Sequence, residues 1–399
     1  MVRKPGRGQV RDEKHGLICD TNVDKLRELC SRHSLGTHVS HAPDGLPEWV
    51  VEDGRLRNTR VDYFSIGLYA HSQAGPLLLM EQKETALVTL LAARVDGRNA
   101  VLLSLRTEPG LIGLTNFSST IQSTPSNYRR RHGGKSTPFI QIVENPSDHG
   151  RVVYDGLHYD WGEYYLHKKK RFLIVELDSP VEVPMGFCWV PLETAQALLL
   201  QDDLVTNDLR VSLPLLSVTP RCQSLCPNAA SFEDCGTTLR NVGYSPSVVD
   251  CRGTAVSFFK TTTEKREVSS WVQPLLIPKD VMAIRLPFTQ TSRGRLYAVE
   301  KRTQPGLLGR RLWFPATKQG GQVVRSVRTS AEGGRFWKFP IEIDVVDVTS
   351  VADAARVVSA EESWLPEDEL SLLIAQSCQT SLELRMAWSL VYAGGLDVR

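Results

Sequence analysis

The densest gathering of side chains able to do chemistry lies at 118–135, SSTIQSTPSNYRRRHGGK, where Gln122, Asn127, Tyr128, Arg129 and His132 crowd around Pro125 and a Gly-Gly pair. Amide and hydroxyl donors interleaved with cations can hold a diphosphate and a sugar at once, because phosphate oxygens take charge-assisted bonds and sugar hydroxyls take neutral ones. A solvated basic loop has the same composition, since charge runs commonly mean exposure. A second basic run, His167-Lys168-Lys169-Lys170-Arg171, abuts the apolar RFLIVELD, as an edge position beside a ligand would. Glu108, Asp155, Asp160 and Glu163 are the acidic candidates, because a carboxylate paired with a cation in a cleft serves as base or acid once its pKa is tuned. Each of the four is equally compatible with a surface position.

The elements that must position these groups read as a mixture of sheet and helix. Apolar runs alternate with turns from 62 to 105, and the Asp96-Gly97 step between TALVTLLAARV and AVLLSLR signals a hairpin. RFLIVELD (171–178) reads as a buried strand, PLETAQALLLQDD (191–203) as a helix with Leu198 and Leu199 inward, and Val23 to Ser31 as a short helix. Within this pattern a set of landmarks recurs in one order, the mark of a duplicated architecture. Arg106-Thr107-Glu108-Pro109-Gly110-Leu111 returns as Arg302-Thr303-Gln304-Pro305-Gly306-Leu307, each after a hairpin pattern. Gly162-Glu163-Tyr164-Tyr165 has its counterpart in Gly334-Arg335-Phe336-Trp337, and a Trp-x-Pro followed by a helix and then Arg210 matches the same series ending at Arg385. The Pro-Gly steps read as type II turns needing a positive φ at glycine.

The chain therefore divides into a lead-in at 1–61, a first repeat at 62–218, a Cys-rich connection at 219–267 and a second repeat at 268–399. From Arg106 to Gly162 the first repeat carries 56 positions against 32 from Arg302 to Gly334 in the second, and the surplus is the polar loop itself. Function is expected in the first repeat, with the second completing the fold.

Composition narrows the classes. With 399 residues, 41% of them hydrophobic, the chain has ample material for a core, and length alone predicts two domains. The 47 Lys+Arg against 45 Asp+Glu leave a formal charge of +2, too even to make nucleic acid or an anionic membrane the expected partner. No targeting segment or membrane-length apolar run is visible, so a cytoplasmic protein with reduced thiols is expected. Cys222, Cys226, Cys235 and Cys251 are too loosely spaced to assign to zinc, and no metal is expected. There is no GxGxxG, GxxxxGK[ST], HExxH or GxSxG, which leaves dinucleotide, P-loop, zincin and hydrolase-elbow chemistry without support.

RTEPGLIGLTNFSSTIQSTPSNYRRRHGGK at 106–135 resembles the signature of the NDP-hexose 2,3-dehydratases, a basic residue and EPGN followed by PTVQAT-SNY and HGG. WVQP at 271–274, RTQPGLLG at 302–309 and EGGRFWKF at 332–339 are similar to that family's second repeat. Leu111 for the Asn of EPGN, Asp160 for the usual Glu and Gln304 for the second Glu mark a divergent member.

The resemblance implies an α+β fold made by tandem duplication of two Nudix-like mixed-sheet halves that lack the Nudix metal box. It also implies a homodimer acting on dTDP-4-keto-6-deoxyglucose in deoxysugar biosynthesis. The 4-keto group acidifies the C3 proton; its removal gives an enolate, the C2 hydroxyl leaves, and the product is a 3,4-diketo-2,6-dideoxy sugar. No redox cofactor is needed. On this reading Glu108, Asp160 and Tyr128 carry the proton and enolate chemistry. Arg106, Gln122, Asn127, Arg129, His132, Lys168, Arg171 and Arg210 bind the nucleotide sugar. The other classes weighed are a non-catalytic nucleotide-sugar binding or partner protein of the same fold, and a Nudix-type pyrophosphohydrolase, for which the sequence offers no carboxylate-rich helix.

Overall fold

The computed structural model describes residues 22–42, 48–61, 63–71, 75–130, 135–217, 239–266, 268–318, 320–350 and 361–394. It is an α+β molecule of mixed sheets with few helices.

The first large sheet has the strand order Gly150–Tyr159, Lys169–Leu177, Ala86–Val95, Arg98–Thr107, Phe187–Pro191, with Thr115–Ser118 also paired to Arg98–Thr107. Its centre is the parallel pair Lys169–Leu177 and Ala86–Val95, in register from Lys170 opposite Ala86 to Glu176 opposite Ala92. Strands covered on both faces must be apolar at both parities. In Ala86–Val95, Val88 and Leu90 enter one buried cluster while Leu87, Leu91 and Val95 enter another on the opposite face. The hairpin expected at Asp96-Gly97 forms, with Val95 opposite Arg98 and φ of 48° and 78° at the two turn residues, as a type I′ turn requires.

The second large sheet repeats this plan. Its order is Gln322–Ser330, Pro340–Asp347, Met282–Thr291, Gly294–Arg302, Glu362–Pro366, with Leu312–Pro315 also paired to Gly294–Arg302 and Met282–Thr291 parallel to Pro340–Asp347. Even the irregularities correspond: the register shifts between Val152 and Tyr154 in one outer strand and between Val323 and Arg325 in the other. Helices Asn207–Leu215 and Leu382–Gly394 pack together between the sheets, and all nine residues of the former are buried. That is the environment in which a helix loses its polar face.

Within the stretch read as a lead-in, the short helix expected from Val23 forms as Val23–Ser34, capped by the Asn22 side chain, which accepts from Asp24 N, and strands Trp49–Glu52 and Arg55–Asn58 extend a further sheet through Ser65–His71. Two expectations need correcting. The helix expected over 191–203 spans only Leu192–Leu198, although Leu198 and Leu199 are buried as expected. Cys378 is disulfide-bonded, against the expectation of reduced thiols. Of the loosely spaced cysteines only Cys251 lies among the described residues, where it is exposed.

The two Pro-Gly turns join the halves reciprocally. Gly110 N donates to Gly333 O at 2.8 Å, and Gly306 N donates to Gly162 O at 2.6 Å. A Cβ on Gly110 would stand 1.6 Å from Phe336 O, and one on Gly306 would stand 1.8 Å from Tyr165 O. Neither glycine has a positive φ, so the type II turn reading gives way to another cause: each backbone must pass closer to the other half than any side chain allows.

Candidate active site

The turn after strand Arg98–Thr107, the short helix Pro125–Tyr128 and the start of strand Lys169–Leu177 converge on a cleft of about 190 Å³. From the first half come Arg106, Glu108, Gln122, Asn127 and Lys170; from the second come Glu332 and Arg335. Trp49, Tyr63 and Trp271 supply aromatic walls. The second half is thus part of the site, a correction to the expectation that it only completes the fold.

Glu108 is 4% exposed and fully partnered. Its Oε1 accepts from Arg106 Nε at 2.7 Å and from Arg266 Nη1 at 3.4 Å, and its Oε2 accepts from Gly334 N at 3.0 Å. Burial alone would raise its pKa, but the Arg106 and Arg266 charges outweigh it and hold the carboxyl below the usual range. The Gly110 contact explains how Gly334 comes within reach, since it brings the 332–335 loop against the Glu108 turn.

Behind the cleft lies a network of buried charge. Lys170 Nζ stands 2.8 Å from Asp208 Oδ1, 3.2 Å from Asp160 Oδ2 and 3.6 Å from Glu332 Oε2. Lys168 Nζ stands 3.1 Å from Asp160 Oδ2 and 2.9 Å from Glu332 Oε2, which also accepts from the Tyr165 hydroxyl at 3.0 Å. Burial disfavours the charged forms of Lys170, Asp160, Glu332 and Asp208, yet attraction prevails for the first three. Lys170 is held well above the ordinary lysine pKa by Asp160, Asp208 and Glu332, while Asp160 and Glu332 are lowered by the two lysines. Asp208 is the exception: burial exceeds the effect of Lys170 and raises its pKa, and its Oδ2 lacks a hydrogen-bond partner.

The residues expected at the site therefore separate. Arg106, Glu108, Gln122 and Asn127 line the cleft; Asp160 and Lys168 lie one layer behind, gripping Lys170 or Glu332. Tyr128 packs against the buried cluster that holds Leu87, Leu91 and Leu173 on the opposite face of the sheet, with exposed Arg129 over its ring, and neither lines the cleft. Arg171 faces the same way and is bound through both nitrogens to Asp155 at 2.7 and 2.6 Å. Arg210 has no exposure and donates to Leu199 O and Gln201 O, so it staples a loop and is too deep to meet a ligand. His132 lies outside the described residues.

Sequence reasoning missed Asp208, Glu332 and Arg266, and from the basic run at 167–171 it took Lys168 and Arg171 as site residues and passed over Lys170. For Lys170 a signal existed: side chains alternate along a strand, so Lys168 and Lys170 share the face of Phe172 and Ile174, whereas Arg171 must point away with Leu173 and Val175.

A family model described as NDP-hexose 2,3-dehydratase matches residues 27–216. The chain resembles that family, as its motifs indicated. The match covers Glu108, Lys170 and Asp208, all within the first half, while Glu332 lies beyond it. A dTDP-4-dehydro-6-deoxy-alpha-D-glucopyranose 2,3-dehydratase of Streptomyces violaceoruber is 30% identical over 58% of this chain and 61% of its own. Enzymes of the same name from Saccharopolyspora spinosa and Amycolatopsis orientalis are 27% and 28% identical, over 52% and 61% of this chain. The chain spans 51% to 61% of the length of these curated relatives. Among solved structures, the complex of the C-terminal domain of mouse MUTYH with human PCNA aligns at 19% identity over 28% of this chain and 74% of that one, with a TM-score of 0.18, too low to bear on the fold. No helix among the described residues is long and apolar enough to cross a membrane.

Proposed function

We propose that the chain removes water from C2 and C3 of dTDP-4-keto-6-deoxyglucose, giving the 3,4-diketo-2,6-dideoxy sugar, with the reaction carried out in the cleft between its halves. The observation that carries this reading is the convergence of Glu108, kept anionic by two arginines, and Lys170, kept protonated by three carboxylates, on one cleft. The resemblance to the 2,3-dehydratases supplies the substrate class.

In this mechanism Glu108 takes the C3 proton and Lys170 Nζ holds the oxyanion that develops on the C4 oxygen, a preorganised charge aimed where negative charge appears. The enolate then collapses, restoring the C4 carbonyl, forming the C2–C3 double bond and breaking the C2–O bond. Glu108 returns its proton to the departing hydroxyl, which one carboxyl can do because both bonds sit on adjacent carbons. The resulting enol tautomerises to the diketone. Gln122 and Asn127 bind sugar hydroxyls, while Asp160, Asp208 and Lys168 are positioning residues that fix Lys170 and Glu332.

The same reading keeps the duplicated Nudix-like architecture with repeats at 62–218 and 268–399, supported by the shared strand order, the parallel central pair and the matching register shifts. It also keeps the homodimer, which light scattering tests. Incubation with the 4-keto sugar nucleotide, followed by mass spectrometry, tests the reaction: one water is lost with the wild type and none with Glu108→Gln. Water loss undiminished in that variant would remove Glu108 from the chemistry.

A further inference from the structure

Glu108, Lys170 and Glu332 line the cleft on one side and, on the other, a pit of about 20 Å³ that reaches Trp161, Asn207, Asp208 and Ser330. These last four are buried, and each has a side-chain polar atom without a hydrogen-bond partner in the protein: Trp161 Nε1, Asn207 Oδ1, Asp208 Oδ2 and Ser330 Oγ. Buried polar atoms in folded proteins are satisfied by protein groups or by ordered water. Four exceptions around one small space therefore point to one shared partner.

The chemistry of the four identifies that partner. An indole N–H only donates, a carboxylate and an amide oxygen only accept, and a serine hydroxyl can donate. Two donors and two acceptors are the complement of one water molecule, which gives two hydrogens and takes two. About 10–15 Å³ of such space seats a water, and the pit holds nothing larger. A cation there would meet the Trp161 N–H and the Lys170 ammonium, which stands 2.8 Å from Asp208 Oδ1. An anion would meet Asp208 itself, with Asp160 and Glu332 close by around Lys170.

We infer that the pit is a binding site for a single water, which donates to Asp208 Oδ2 and Asn207 Oδ1, accepts from Trp161 Nε1 and Ser330 Oγ, and through Asp208 fixes Lys170. Asp208 holds Lys170 with Oδ1, so anchoring Oδ2 stops the carboxylate from turning and keeps the ammonium in place. Ser330 ends the outer strand of the second large sheet, whereas Asn207 and Asp208 open a helix of the first half, so the water also ties the halves together behind the cleft. Ser330, Asn207 and Trp161 are then positioning residues that touch no substrate. The role in turnover rests on the dehydration reading; the water site does not.

A crystal structure of the full chain, grown with rubidium bromide as the salt, tests the occupant. The expected result is one peak without anomalous signal, within about 3.2 Å of all four atoms. An anomalous peak, an absence of density, or rotamers that pair the four atoms with other protein groups overturns the site. Ser330→Thr and Ser330→Val then test the bracing of Lys170, because the two side chains share one shape and differ in the hydroxyl. The threonine variant keeps the water peak and wild-type kcat and KM. The valine variant loses the peak, and its kcat falls about tenfold while KM stays within about twofold, as expected when a reacting group is slightly misplaced. Should the valine variant fail to fold, Asn207→Leu, which removes an acceptor, makes the same comparison with wild type. Equal kcat with and without the bonding group overturns the bracing. A four-bonded water in a wild type that releases no water from the sugar nucleotide leaves the site standing and defeats the dehydration reading alone.

Discussion

Replacing Lys170 with methionine keeps the length of the stem and removes the ammonium that stands within 3.6 Å of three carboxylates. At an effective dielectric near 20, each of those attractions is on the order of 5 kcal/mol in gross terms. Most of that is offset by the desolvation of Lys170, and deleting one partner of a buried pair costs about 3–5 kcal/mol net. Lys170→Met should lose that much stability in urea unfolding. Asp208 has the raised pKa and an unpartnered oxygen, so it takes up a proton first, and the double variant Lys170→Met/Asp208→Asn should recover about half of the loss. Turnover behaves differently. Losing the donor that faces the developing oxyanion costs roughly 10²–10³ in kcat, and removing Asp208 cannot restore it. The assay is therefore a pair of measurements on the same proteins, unfolding free energy and the rate of diketone formation. If turnover recovered along with stability in the double variant, or if Lys170→Met stayed within tenfold of wild type, Lys170 would be a structural cation and the oxyanion assignment would fail.

Further outcomes follow from the same geometry. Glu108 acts as a base only when ionised, and its arginines lower its pKa, so the acid limb of kcat/KM should lie below the ordinary carboxylate range; Arg106→Gln removes the first of those charges and moves the limb upward, and a limb that stays put refutes the pairing. Gly110→Ala must displace Phe336 O from a 1.6 Å clash and should destabilise severely, whereas Gly97→Ala, at φ 78° with nothing within 4 Å, should cost about 1 kcal/mol; thermal unfolding that ranks them the other way would restore the turn explanation. Tyr128→Phe should leave kcat and KM within about twofold, because its ring packs away from the cleft. Arg210→Met should lower stability through its lost carbonyl contacts, with no rise in KM for the protein that remains folded.

The sequence alone determined what depends on order and period. The duplicated landmarks, the Asp96-Gly97 hairpin, the buried strand after the lysine run and the family resemblance were all legible, because repetition, turn chemistry and apolar patterning are local properties. Glu108, Arg106, Gln122 and Asn127 were also legible, each being part of one contiguous motif. What only the tertiary structure decided is which charges meet. Lys170 and Arg171 are neighbours in the chain but are sent to opposite faces by the pleat of the strand, and Glu332 reaches the site from another half of the molecule through a glycine contact that no spacing rule encodes. Buried electrostatics acts over a few ångströms of space irrespective of sequence distance, so Asp160 and Arg210 could be seen as charged residues but not as props for a lysine and a loop.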